Sequence, residues 1–256
     1  MIQQLLKLLP LRRMARPLEI LERGSRVLRG IGSGAYPIAQ EVSVASRFLP
    51  PSGAIVFDVG ANAGHWTRAL LNGHRERLGR VVMFEPSPHH RDALISMSGG
   101  EVEYVPKAVG ESDGVAVLYG DQAGSGLASL HQRRLDHLKL QHVRQAEVET
   151  VSLDNYTRSR GIDRIDFLKL DIEGHELKAL IGASELLRGR AIGALSFEFG
   201  GANIDSRTYF QDFWYLFRER GYKIARILPN ADLLPILKYV EALEVFTTTN
   251  YVAFLP

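Results

Sequence analysis

The stretch Ala54-Ile-Val-Phe-Asp58-Val-Gly60-Ala-Asn62-Ala-Gly64-His65 decides how the chain is read. Ala54 to Asp58 is an apolar run between Gly53 and Gly60, the mark of a strand buried on both faces. The glycines permit a tight turn and a close approach of a ligand to the backbone. From His65 the pattern predicts a helix over 65–72, whose first N–H groups are free for a ligand. Ligands of open α/β sheets sit at the carboxyl ends of the strands, where this turn lies.

The alternation continues outward from that unit. Strands are predicted at Val81-Val-Met-Phe-Glu85, Val102-Glu-Tyr-Val105, 165–170 and 192–199, with helices over 176–187 and 209–220. Residues 115–119 and 148–153 read as extra strands beside a polar, His-rich stretch at 131–147. The strands at 222–228 and 247–254, joined by a loop with Pro229 and Pro235, read as an antiparallel edge pair. The expectation is an α/β fold with a mostly parallel sheet and helices on both faces. It is a single domain over 51–256, preceded by a basic, helical N-terminal extension over 1–50.

Composition narrows the function classes. Of 256 residues, 45% are hydrophobic and 23% charged, ordinary globular usage. Cysteine is absent, which excludes a disulfide scaffold, a thiol nucleophile and a thiolate metal site. The net charge of +2 lacks the basic excess typical of nucleic-acid binders. No run of about 18 apolar residues is present, and the first ten residues are too broken for a secretory signal, so a cytoplasmic location is expected.

The charge is uneven. Residues 1–30 hold seven bases (Lys7, Arg12, Arg13, Arg16, Arg23, Arg26, Arg29) against Glu19 and Glu22, so they carry +5 and the remainder −3. Leu5, Leu8, Leu9 and Leu11 alternate with the bases, interrupted by Pro10 and Pro17. This reads as a lead-in helix packed on the main domain; the other reading is a basic helix for a membrane surface or partner.

The second strand ends in Glu85, a carboxylate placed to accept hydrogen bonds from ribose hydroxyls. The dinucleotide fingerprint needs a second glycine where Asn62 stands, and a Walker lysine motif is missing. Asp58 at the loop entrance opposes a pyrophosphate and suits a cation. This favours S-adenosylmethionine, with its sulfonium and ammonium, over NAD. A tight strand–helix connection is the bland reading of the same glycines.

These segments, in order, resemble the FkbM family of S-adenosylmethionine-dependent methyltransferases: Phe57-Asp-Val-Gly-Ala-Asn-Ala-Gly64, Phe84-Glu-Pro-Ser-Pro88, Val151-Ser-Leu-Asp154, Leu168-Lys-Leu-Asp-Ile-Glu-Gly174 with His175-Glu176, and Phe197-Glu198. They span about residues 54–200. The resemblance implies a class I methyltransferase (Rossmann-like) fold, a seven-stranded sheet with a reversed strand at its end. It also implies O-methylation of sugars, polyketide products or other small molecules. Asp58, Gly60, Ala61, Asn62 and Gly64 would surround the methionine and ribose portions, Glu85 would hold the ribose, and Lys107 and Ala108 would lie near the adenine.

Asp171 ends a buried strand and should point into the same cleft, with Glu173 and His175 on the following turn and Glu198 ending the next strand. A hydroxyl acceptor must lose its proton as it attacks the methyl group, and a positioned His or carboxylate takes it. His175 is the preferred base because the ordinary imidazole pKa lies near working pH. Asp171 would position the acceptor or the cofactor ammonium, and Glu198 would orient the base or bind a metal. The same carboxylates could hold a divalent cation or cap backbone N–H groups. His131, His137 and His142 lack tight ligand spacing, and 124–130 reads as a loop or a lid.

The expected partners are thus S-adenosylmethionine and a small-molecule or glycan acceptor of polysaccharide or natural-product biosynthesis, with no nucleic acid. An NAD-dependent oxidoreductase and a non-catalytic module docked by its basic N-terminus are the rival readings.

Overall fold

The computed structural model of the chain describes residues 11–32, 34 and 37–256; Leu5, Leu8, Leu9 and Pro10 lie outside them. The first helices of the described residues are α1 (Leu11–Leu28) and α2 (Ile38–Ser46). Then follow β1 (Ala54–Val59), α3 (His65–His74), β2 (Leu78–Phe84), α4 (Arg91–Met97) and β3 (Val102–Val105). A small insertion holds β4 (Ala108–Val109), β5 (Gly114–Gly120) and β6 (Val143–Val151). The second half runs α5 (Leu153–Arg160), β7 (Ile165–Leu170), α6 (Glu176–Ile181), α7 (Ser184–Arg188), β8 (Ile192–Phe199) and α8 (Ala202–Ser206). It closes with α9 (Phe210–Glu219), β9 (Lys223–Ile227), β10 (Leu233–Ile236) and β11 (Thr249–Phe254).

The main sheet has the order β10-β9-β11-β8-β7-β1-β2-β3, and β4-β6-β5 forms a second sheet of three strands. Among the described residues the main sheet therefore has eight strands, where seven were expected. β11 runs antiparallel to both neighbours, with Tyr251 opposite Phe197 on one side and Arg226 on the other. The reversed strand thus lies inside the sheet, because β9 continues past it in the direction of β8. The edge is β10, antiparallel to β9, and Pro235 sits within it opposite Ala225. An edge strand tolerates proline because one side of its backbone needs no ladder partner.

Strand alternation gives the sheet two packed faces. Phe57, Phe84, Phe197, Phe213 and Phe217 fill one, and Val56, Val81, Met83 and Phe167 the other. Along β1 this places Asp58 on the Val56 side, toward Thr67 of α3. Helix α2 belongs to that same layer, since its Val42, Val44 and Ala45 are buried there.

The predicted helix over 176–187 is two helices. The chain breaks at Gly182, where an added Cβ would come within 2.1 Å of the Gly110 carbonyl oxygen. α7 restarts because Asp154 accepts the Glu185 and Leu186 N–H groups at 2.9 and 3.0 Å, capping its first turn from another element. Helix α1 continues through Pro17 instead of stopping there. It is also not packed on the domain along its length: Leu18, Ile20, Leu21 and Leu28 are exposed.

Candidate active site

The β1–α3 turn is built around one close approach. Gly60 has φ +81°, and a Cβ there would stand 1.9 Å from the Asp171 carbonyl oxygen. Only glycine allows this contact between the ends of β1 and β7. Asn62 also takes a left-handed conformation, φ 49°, and its Oδ1 accepts the Ala63 N–H at 2.7 Å. Gly64, φ +76°, lets the turn pass Met97, whose sulfur would be 2.6 Å from an added Cβ.

Glu85 lies just beyond β2 and is almost fully buried. Its two oxygens accept the Asn62 and Ser87 N–H groups at 2.9 and 2.8 Å. Each oxygen keeps a second lone pair for another donor. Burial raises its pKa above the ordinary carboxylate range, and the two backbone N–H groups oppose that shift.

A cleft opens over the strand ends. Gly60, Asn62, Glu85, Lys107 and Ala108 line it from the first half of the sheet, and Asp171, Glu173 and His175 from β7 and its turn. Of the residues singled out in the sequence, Asp58, Ala61 and Gly64 stand behind this lining, and Glu198 lines a neighbouring cavity. Lys107 contributes to the wall while its ammonium pairs outward with Glu149 at 2.7 Å.

Asp58 does not present its charge to the cleft. It is fully buried, with Oδ2 accepting the Thr67 hydroxyl at 2.7 Å and Oδ1 lying 3.2 Å from Lys169 Nζ. The same ammonium is 3.2 Å from Asp171 Oδ2 and 6.0 Å from the centre of the Trp66 ring. Burial works to lower the Lys169 pKa, but Asp58, Asp171 and Glu41 outweigh it and hold the amine protonated. The cation facing Asp58 is thus an internal lysine of the Leu168-Lys-Leu-Asp171 motif.

Beyond Lys169 a second, small cavity with room for about one water lies between α2 and the ends of β7, β8 and β11. Glu41, Asp171, Glu198 and Asn250 face it. Burial pushes the Glu41 carboxyl up to about 7 and the Glu198 carboxyl well above its usual range, the latter reinforced by Asp171 and Glu173. Asp171, Glu173 and Glu198 each offer an oxygen within 4.8 Å of the others, a donor set that a hard divalent cation could use.

Glu173 is held at φ 51° on the turn after β7 and is paired with Arg133, which also lies 3.7 Å from Asp205. Burial moves the Glu173 carboxyl up to about 7, against the pull of Arg133. Glu176 shapes this turn: its Oε1 accepts the Ile172 and Gly174 N–H groups at 3.0 and 3.2 Å.

His175 lines the cleft and contacts a second histidine. Its Nδ1 is 3.0 Å from His131 Nε2, and a Cβ built on Gly110 would meet its Nε2 at 3.4 Å. Its ring therefore faces the Lys107–Gly110 end of the cleft. Burial, His131 and Lys178 push its pKa down to about 4, which keeps the imidazole neutral at working pH and makes it a weaker base than an ordinary one.

The loop over 121–142 forms the remaining wall, through Ser125, Gly126 and Ala128 to Leu130. Ser129 pairs with Tyr119 through two backbone hydrogen bonds, and its hydroxyl donates to the Glu173 carbonyl at 2.8 Å. His142 Nδ1 accepts the Arg133 N–H at 3.0 Å, which leaves its Nε2 to donate to the Leu127 carbonyl at 3.0 Å. The loop is thus tied to the β7 turn through Ser129, His131 and Arg133. Sequence spacing could not find these residues, because their partners lie 40 to 44 positions away.

The strand order with its single reversed internal strand, and the glycine turn facing a strand-terminal Glu, define the Rossmann-like methyltransferase class. The chain belongs to the methyltransferase FkbM domain family, whose match covers residues 58–224. It is 30% identical over 171 residues to the AMB antimetabolite synthetase AmbE of Pseudomonas aeruginosa, covering 54% of this chain and 8% of that protein. Among solved structures it is similar to the methyltransferase FkbM of Methylobacillus flagellatus KT, with TM-score 0.52 and 18% identity, covering 86% of this chain and 49% of that one. The chain thus spans under half the length of these relatives.

Proposed function

We propose that the protein transfers a methyl group from S-adenosylmethionine to a hydroxyl of a small-molecule or glycan acceptor by direct in-line displacement. The observation that carries this reading is the cleft in which Glu85 and the Gly60–Asn62 turn face Asp171 and Glu173. Its residues fit the cofactor: Glu85 keeps lone pairs for two ribose hydroxyls, and the Gly60 approach leaves the backbone bare. Lys107 and Ala108, opposite His175, would border the adenine. Asp171, the carboxylate of the Lys169 pair that lines the cleft, would receive the cofactor's ammonium.

When bound, S-adenosylmethionine supplies an electrophilic methyl on a sulfonium. The carbon–sulfur bond breaks as the carbon–oxygen bond forms, and the sulfur leaves as a neutral thioether. The chain's work is alignment and exclusion of water, and the loop over 121–142 closes that side of the cleft. We assign the acceptor to the side of the cleft lined by Asp171 and Glu173, whose carboxylate oxygens lie within 4.8 Å of Glu198. Glu198 would take the hydroxyl proton, since a carboxyl whose pKa is raised is, once ionised, a stronger base than an ordinary one. His175 becomes a wall of the adenine end.

Calorimetric titration tests the reading. S-adenosylmethionine should bind stoichiometrically and NAD should not; NAD binding without S-adenosylmethionine binding overturns it in favour of an oxidoreductase.

A further inference from the structure

The acids at the ends of β7 and β8 are crowded. Asp171, Glu173 and Glu198 each bring a carboxylate oxygen within 4.8 Å of the others. Glu176 joins them from α6: with Glu173 and Glu198 it lines a small cavity that has room for about one water. Its Oε1 is taken by the Ile172 and Gly174 N–H groups, while its buried Oε2 has no partner among the described residues. Glu41 reaches the group from α2, its Oε1 accepting from Asn250 of β11 at 3.2 Å.

Positive charge is scarce beside them. The Lys169 ammonium is shared between Asp58 and Asp171 at 3.2 Å each, and the Arg133 guanidinium between Glu173 and Asp205 of α8. The charged groups that act most on Glu198 are Asp171, Glu173, Glu176 and Glu41, all carboxyls. The imidazoles on this side, His131 and His175, are held neutral by burial, so neither has a titrating proton to give near neutral pH. Carboxyls at such spacing cannot all ionise together, so the cluster keeps protons that isolated side chains would have lost. Burial adds to this, lifting Glu173 to about 7 and Glu198 well above its usual range.

We infer that S-adenosylmethionine ionises the base by binding: its sulfonium, brought beside the Asp171–Glu173–Glu198 cluster, expels a proton from Glu173 or Glu198 to solvent. This rests on the cofactor reading above. The positive sulfur favours the carboxylate form, which is the form that can accept the hydroxyl proton. Transfer then cancels both charges. The methyl leaves the sulfonium, which becomes a neutral thioether, and the acceptor's proton passes to the carboxylate, which becomes a neutral acid. The product S-adenosylhomocysteine, without the sulfonium, leaves the cluster protonated. The base is thus armed only while the methyl donor is present.

Calorimetric titration of the full chain tests this without an acceptor. Run with a chelator in phosphate and in imidazole buffer, whose ionisation heats differ, it counts the protons released. At pH 6.5 the α-amino group of either ligand stays protonated and does not contribute. S-adenosylmethionine should release roughly half a proton or more per molecule bound and S-adenosylhomocysteine close to none. Between pH 6 and 7 the affinity for S-adenosylmethionine should then rise about threefold, with little change for S-adenosylhomocysteine. Glu173→Gln and Glu198→Gln should each lower the release, and the double variant should lower it further. Equal release by the two ligands, or a release that neither variant diminishes, overturns the inference while leaving the cofactor reading intact. Absence of S-adenosylmethionine binding overturns both.

Discussion

Lys169 Nζ stands 3.2 Å from Asp58 Oδ1, so a buried ammonium on β7 is matched to a fully buried carboxylate on β1. With Asp171 also at 3.2 Å, one cation links the two strand ends that carry the cleft. Lys169→Met leaves Asp58 buried without its counter-ion. The expected loss of stability is ~3–5 kcal/mol, the usual cost of breaking a buried pair from one side. Urea denaturation measures it. A loss near zero would mean that Thr67 alone satisfies Asp58.

Glu85→Gln keeps the size of the side chain and one oxygen to accept a backbone N–H, so the fold should survive. It removes the charge that would strengthen hydrogen bonds from ribose hydroxyls. Affinity for S-adenosylmethionine should fall roughly tenfold, about 1.4 kcal/mol. Unchanged affinity in calorimetry would remove Glu85 from the cofactor site.

The proposed base must be ionised to act. Glu198 has a carboxyl raised above its ordinary range by burial, and Glu173 beside it titrates near 7. The rate should therefore rise with pH as the base ionises. Glu198→Gln should slow transfer ~100-fold or more at saturating cofactor. His175→Ala should instead weaken cofactor binding and leave most of the turnover rate. The opposite pattern would return the base to His175.

Stability should move against pH. Glu176 is buried, its Oε2 has no hydrogen-bond partner, and burial lifts its carboxyl from 4.5 to about 7. The folded chain then binds a proton that the unfolded chain has released between those values, so stability falls as pH rises from about 4.5 to 7. Such a shift is worth ~3 kcal/mol. Glu176→Gln should flatten this part of the curve in denaturation series at several pH values. An unchanged slope would show that Glu176 is ionised throughout.

Exhaustive chelation should leave the rate unchanged. Arg133 already pairs with Glu173, and the single charge of Lys169 is shared between Asp58 and Asp171. Loss of activity that magnesium restores would assign the three carboxylates to a metal ion.

The strand–turn–helix unit around Gly60 and the strand-terminal acids Glu85, Asp171 and Glu198 were legible because they depend on local pattern. An apolar run, a glycine and an acid at its end fix the strand, and the strand's carboxyl end fixes the cleft. Val102–Val105, Ile165–Leu170 and Ile192–Phe199 are recovered at their predicted bounds for the same reason. The eighth strand was not legible, since Pro235 reads locally as a breaker and only its edge position makes it harmless.

The sequence by itself determined the α/β class, the family and the acids at the strand ends, all properties of short contiguous segments. Only the tertiary structure decided what those acids face. It gave Asp58 to Lys169, His175 to His131, Glu173 to Arg133, and Glu41 a place beside the end of β11. The physical reason is that charge pairing and burial act across space. A pKa is set by whichever groups the fold brings within a few ångströms, and chain separation carries no record of them.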